Sequence, residues 1–246
     1  MLISSIVGFV YLVAVCGSVT ADENSRILNG TTASNNKYAY QASLQDQTKA
    51  HFCGGSILNT NWVLTAAQCL DLVSSFTVVV GTHILTSGGT TYQVMSFEKH
   101  PLYDNVTMSY DVGVVKTTTP IIYSSTVQPV LLSLILPIQG TIGVVTGWGY
   151  TAYPGSAASN ELKALNTTLL STINCQKQLN SLNFTLQSTQ FCTFATNAGA
   201  CLGDEGSPIT IGNMQFGIAS VFACGLGYPD VYTGIPNVYS WIVTHV

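Results

Sequence analysis

The sequence predicts an all-β protein, and three observations carry that expectation. Glycine supplies turn geometry, and there are 22 glycines among 246 residues. Val, Thr and Ile, which fit a pleated surface, recur in short runs. Those runs are separated by Gly, Pro, Asn and Ser clusters at the spacing of barrels or sandwiches. Two six-stranded antiparallel β-barrels followed by a C-terminal helix fit the length.

The individual elements follow from alternation and β-branched content. Trp62–Thr65, Phe76–Val80, Tyr92–Phe97, Val112–Lys116, Thr141–Thr146, Met214–Val221 and Val231–Gly234 are expected strands. Ser133–Gly140 is the expected crossing between halves. Ser171–Leu179 has a helical pattern. So does Asn237–His245, where Val238, Trp241, Ile242 and His245 fall at helical spacing behind Pro236.

Composition bounds the function. Hydrophobic residues make up 47% of the chain and charged residues 7%, enough apolar material for one or two packed domains. The formal net charge of −4 includes no Lys/Arg run, which argues against nucleic acid or an anionic leaflet as a partner. His51, His83, His100 and His245 stand at no metal-ligand spacing, so neither metal nor cofactor is expected. Oligomeric state is open.

Leu2–Val15 is an apolar run that exits through Gly17, Ser18, Val19, Thr20 and Ala21, so residues 1–21 read as a signal peptide. A secreted chain without a membrane anchor is expected. Cys16 lies in that segment, leaving Cys53, Cys69, Cys175, Cys192, Cys201 and Cys224 for disulfides. Six cysteines allow fifteen pairings, and sequence order does not choose among them. Asn29, Asn105, Asn166 and Asn183 each open an Asn-x-Thr triplet and are glycosylation candidates.

The richest signal is a set of motifs in order. His51-Phe-Cys-Gly-Gly-Ser-Ile-Leu58 precedes Trp62-Val-Leu-Thr-Ala-Ala-Gln-Cys69. Tyr110-Asp-Val-Gly-Val-Val115, Thr146-Gly-Trp-Gly149 and Gly203-Asp-Glu-Gly-Ser-Pro208 follow. Together they resemble the chymotrypsin- and trypsin-like serine proteases over nearly all of the chain after residue 26. The resemblance implies two barrels, about 27–135 and 136–246, behind a short propeptide at 22–26.

It also implies what the chain lacks. The family's catalytic histidine follows Thr-Ala-Ala, where this chain has Gln68, and the nucleophilic serine's place is taken by Glu205. A serine hydroxyl attacks only when an imidazole takes its proton and a buried aspartate orients that imidazole. An amide has no basic nitrogen, and a carboxylate at the attack position brings negative charge where an oxyanion must form. Asp111 is the one retained triad position, able to accept from the Gln68 amide. No peptidase activity is expected, and the oxyanion-hole positions Gly203 and Glu205 come into doubt, the more so because Ser207 replaces a family glycine.

By the same resemblance Gly199 and Ala200 form an uncharged floor of the specificity pocket, and Ser220 begins its wall. Phe222 then plugs the pocket, while Asp230 sets a carboxylate against the wall. The alternative is a reshaped acidic pocket that admits a cation, and occlusion is the expectation preferred. Arg26-Ile27 resembles a zymogen cleavage site whose freed ammonium pairs with Asp204. The family's bridges would be Cys53–Cys69, Cys175–Cys192 and Cys201–Cys224.

The chain is most similar in kind to the mite trypsin-like proteins, including the inactivated scabies mite paralogues, which are secreted and interfere with host complement. That resemblance implies a non-catalytic binder of host proteins such as complement components. A residual or altered endopeptidase and a decoy for protease inhibitors or substrates are the alternatives.

Overall fold

A computed structural model describes residues 30–34, 36–151 and 158–246. The expected signal peptide, the propeptide, Arg26, Ile27 and Asn29 lie outside these residues. The strands are β1 (Thr31–Thr32), β2 (Gln41–Gln45), β3 (His51–Ile57), β4 (Trp62–Thr65), β5 (Thr77–Val80), β6 (Thr90–Lys99) and β7 (Gly113–Thr117). They continue as β8 (Leu131–Leu132), β9 (Ile142–Gly147), β10 (Lys163–Leu169), β11 (Gln190–Phe194), β12 (Pro208–Ile211), β13 (Met214–Val221) and β14 (Asp230–Gly234). Among the described residues the helices are α1 (Cys69–Leu72), α2 (Thr172–Leu179), continued by a 3-10 turn at Asn180–Leu182, and α3 (Ile235–His245).

Strands β2-β3-β4-β7-β6-β5 close into a six-stranded antiparallel barrel. A second barrel runs β10-β11-β14-β13-β12-β9 and closes through pairing of β9 with β10, with β1 and β8 attached outside the ring. Leu44, Ile57, Leu64, Val78 and Val114 fill the first barrel. Val145, Phe191, Ile209, Phe216 and Tyr232 fill the second. Closure leaves no free strand edge on either ring.

The barrels meet along a polar seam. In β2, Ala42 and Leu44 enter the first-barrel core, while Gln41, Ser43 and Gln45 are buried as well. Thr146 donates to Gln41 Oε1 at 2.6 Å, Ser56 donates to Gln215 Oε1 at 2.6 Å, and the Tyr40 and Thr210 hydroxyls lie 2.9 Å apart. Buried polar groups of this kind require partners, so each bond also fixes how one barrel sits on the other.

All three disulfides pair as the resemblance implied: Cys53–Cys69, Cys175–Cys192 and Cys201–Cys224. Asn105, Asn166 and Asn183 are exposed, on a loop, on β10 and past α2 respectively. Among the described residues, no helix is long and apolar enough to cross a membrane.

Candidate functional site

The site forms where the barrels face each other. Gln68 is the N-cap of α1 and follows β4, and the neighbouring Cys69 is tied to β3. Asp111 sits just ahead of β7, fully buried. From the second barrel come Ser220 near the end of β13 and Glu205 in the turn before β12. The Gly54 N–H of β3 donates to the Glu205 carbonyl at 2.8 Å, docking that turn on the first barrel.

Asp111 is held by donors from both sides. Its Oδ1 accepts the Gln68 main-chain N–H at 2.9 Å, and its Oδ2 accepts Gln68 Nε2 at 2.6 Å and the Ser220 hydroxyl at 2.7 Å. Gln68 Nε2 also donates to the Ser220 carbonyl at 2.8 Å. Both amide hydrogens of Gln68 are therefore committed to acceptors. Burial raises the Asp111 carboxyl above the usual range, and the Ser220 and Gln68 donors pull it back down.

Glu205 folds back onto its own turn. Its Oε2 accepts the Gly203 N–H at 2.7 Å, and the carboxylate also takes the Glu205 main-chain N–H. These are the two positions that the resemblance assigns to the oxyanion hole, and the Glu205 carboxyl accepts from both. Desolvation pushes Glu205 up to about 7, its bonds to the two amides oppose the shift, and repulsion from Asp204 and Asp111 adds to it.

Backbone geometry holds the turn open for these contacts. Gly203 and Gly206 both lie in the left-handed region, with φ of +96° and +79°. Ser207, where the resemblance expects a glycine, is not among the residues of positive φ. Its side chain uses the space left by Gly54, where an added Cβ would stand 1.8 Å from Ser207 Oγ.

Asp204 is fully buried, accepting from Gly149 N at 2.8 Å and Cys201 N at 3.0 Å, and desolvation pushes it up to about 6. The ammonium that the resemblance would pair with it belongs to Ile27, outside the described residues. Behind the turn lies a contact made by His51, which the sequence sets at no metal-ligand spacing. His51 Nε2 donates to the Gly203 carbonyl at 2.8 Å, and Nδ1 accepts from Ser43 at 2.8 Å. The ring packs edge-on to Trp148, and desolvation lowers it to about 4, so it is neutral. No local sequence signal predicts a bond that spans 152 residues.

At the positions that the resemblance assigns to the specificity pocket, Asp230 Oδ2 accepts the Ala200 N–H at 2.9 Å, and a main-chain bond from Ala223 also bears on the carboxyl. Both oxygens lie close to Gly199, at 3.1 and 3.2 Å from where a Cβ would stand. Desolvation pushes this carboxyl up to about 8. Phe222 is half-buried and packs against the second-barrel core.

Comparison with known proteins matches this architecture. The family model described as Trypsin covers residues 27–242. Trypsin of Sarcophaga bullata is 33% identical over 234 residues, covering 93% of this chain and 92% of that protein. Trypsin delta of Drosophila melanogaster is 31% identical, covering 90% and 89%. Among solved structures, neuropsin, a serine protease expressed in the limbic system of mouse brain, superposes with a TM-score of 0.81 at 28% identity, covering 87% of this chain and 97% of that one. With a family match across nearly the whole of both barrels, this chain belongs to the trypsin-like serine protease family.

Proposed function

We propose that this family member is secreted and catalytically inactive, and that it acts by binding other proteins. One observation carries the reading: the Glu205 carboxylate takes the Gly203 N–H while Gln68 Nε2 donates to Asp111. Acyl transfer requires a basic nitrogen beside a hydroxyl and empty donors for the developing oxyanion. Here an amide stands in the base position and a carboxylate fills the donors. The Gln68, Asp111 and Ser220 bonds serve to brace the seam between barrels rather than to move a proton.

The partner class we infer is host defence proteins such as complement components. Its support is the resemblance to inactivated mite paralogues that combine this scaffold with changes of the same kind. The test is a serum complement-lysis assay with purified protein cleaved after Arg26, run beside a fluorogenic peptide panel and a serine-reactive probe. Dose-dependent loss of lysis with silence on peptides supports the reading, and turnover abolished by Glu205→Ala overturns it.

Asp230 favours a second reading, a decoy for protease inhibitors or substrates. A buried carboxyl beside Gly199 suits a basic side chain entering the old cleft, whose charge would draw off the proton that burial keeps on Asp230. Surface-plasmon resonance with inhibitors that present Lys or Arg decides it: capture lost in Asp230→Asn supports the decoy, and no capture removes it.

A further inference from the structure

The loop between β6 and β7 leads into Asp111 and borders the site. Its stem is closed by the His100 N–H, which donates to the Val112 carbonyl at 3.0 Å, and by the Asp104 N–H, which donates to the Ser109 carbonyl at 3.1 Å. Lys99, at the foot of the loop, pairs with Asp71 of α1, the helix that Gln68 caps, and stands 5.9 Å from the centre of the Tyr103 ring. Burial raises the Tyr103 hydroxyl above its usual range, and the Asp111, Asp71 and Asp104 carboxylates add to the rise, so the loop lies within the field of the site.

The tip of the loop is fixed as well. Asp104 Oδ1 accepts the Val106 and Thr107 N–H groups at 2.8 and 2.9 Å. From the second barrel, Gln190 Nε2 donates to the Met108 and Thr107 carbonyls at 2.8 and 3.2 Å, and Thr189 Oγ1 accepts the Tyr110 N–H at 3.2 Å. This braced tip holds Asn105 out in solvent, with no side-chain hydrogen bond to the described residues. Leu102 and Val106 beside it are 60% and 83% exposed.

We propose that Asn105 carries an N-linked glycan that shields this edge of the Gln68, Asp111 and Glu205 site from protein partners. The proposal rests on the reading of the chain as secreted, and it limits where a partner docks: away from the β6–β7 loop, with sugar on that side of the old cleft. Asn105-Val106-Thr107 is the acceptor triplet. The donor class is a polyprenyl-pyrophosphate-linked oligosaccharide. The Asn105 amide nitrogen gives up a proton and bonds to the anomeric carbon of the first N-acetylglucosamine. That carbon's bond to the pyrophosphate oxygen breaks, and polyprenyl pyrophosphate leaves with the electron pair. Transfer to a side chain that makes no bond in the fold removes none, and the braced loop gives the bulky sugar a fixed stem over Leu102 and Val106. Asn166, the acceptor of another triplet, stands on β10 of the second barrel and serves as the control.

Full-length protein expressed in cultured animal cells tests this. Peptide N-glycosidase in heavy-oxygen water is expected to convert Asn105 to isotope-labelled Asp in the tryptic peptide His100–Lys116, which holds no other asparagine. Hydroxyl-radical footprinting of the folded protein then reads the shield. Oxidation of Leu102, Tyr103 and Val106 is expected to rise severalfold on deglycosylation and in Asn105→Gln, and to stay at the parent level in Asn166→Gln. Secreted protein with Asn105 unmodified overturns the proposal and leaves secretion standing. An Asn105 glycan whose removal leaves the loop's footprint unchanged overturns the shield. Protein retained in the cells with residues 1–21 still attached overturns the secretory reading and the proposal with it.

Discussion

Glu205 Oε2 accepts the Gly203 main-chain N–H at 2.7 Å, and on the proposed reading this occupies a donor that acyl transfer would need free. Glu205→Ser alone empties those donors but leaves an amide at Gln68. Gln68→His alone restores an imidazole beside Asp111 but leaves the carboxylate in place. Triad members act as a unit, and in subtilisin loss of Ser or His alone costs about 10⁶ in turnover. The double variant, cleaved after Arg26, is therefore expected to exceed either single variant by at least about 10³ on a fluorogenic peptide panel. Comparable activity in one single variant would contradict the assignment of roles.

Stability should fall as pH rises through the neutral range. Asp204, Glu205 and Asp230 are raised to about 6, 7 and 8, chiefly by burial. A carboxyl raised in the folded state binds its proton more tightly there than in the unfolded chain. Its contribution is complete below the unfolded value of about 4 and disappears as pH rises through the folded value. His51 works in the opposite sense, since its lowered value of about 4 withdraws stability as pH falls from about 6.5. Above pH 6.5 the carboxyls act unopposed. Urea unfolding at pH 6.5 and pH 8 is expected to differ by about 2 kcal/mol through Asp230 alone, and Asp230→Asn should flatten the slope. A stability that climbs over this interval in the parent chain would refute the account.

Removing Asp111 tests the seam. Asp111→Ala leaves Gln68 Nε2 with one acceptor fewer and takes the acceptor from the Gln68 main-chain N–H and the Ser220 hydroxyl in a buried setting. Orphaned buried donors cost about 1–3 kcal/mol each at most, so a loss of about 3 kcal/mol in chemical unfolding is expected. Gln68→Ala removes the Nε2 bonds to Asp111 and to the Ser220 carbonyl but keeps the main-chain N–H and Ser220 hydroxyl bonds to Asp111, and should cost about half as much. If both variants unfold with the parent, these bonds contribute nothing to the joining of the barrels.

The legible and illegible parts of this chain divide along physical lines. Trp62–Thr65 and Met214–Val221 are strands with the bounds their patterns predict, because their runs of β-branched and aromatic residues fit the pleat. Strands β2 and β10 escaped because polar residues that ought to mark solvent are buried: Gln41, Ser43 and Gln45 in one, Lys163 and Thr167 in the other. Local polarity then says loop while tertiary burial says strand. At the site, Gln68, Asp111 and Glu205 were legible through ordered motifs. The Ser220 bond to Asp111 and the His51 bond to Gly203 span 109 and 152 residues, and nothing local encodes either.

Two glycines separate steric clash from backbone preference. Gly206, at φ +79°, closes the Glu205 turn, and a Cβ there would stand 2.2 Å from Thr65 Oγ1 and 2.5 Å from the Gly54 carbonyl. Gly212, at φ +59°, ends the β12–β13 hairpin with nothing within 4 Å of an added Cβ. Gly212→Ala thus meets only the left-handed penalty, about 1–2 kcal/mol. Gly206→Ala meets that penalty and must also push the turn off β3, where Gly54 N–H holds the Glu205 carbonyl at 2.8 Å. A loss above about 3 kcal/mol, or failure to fold, is expected for Gly206→Ala in urea unfolding beside Gly212→Ala. Equal losses would mean that the turn yields freely, and the carboxylate would then not be fixed on the Gly203 donor by the packing of Gly206.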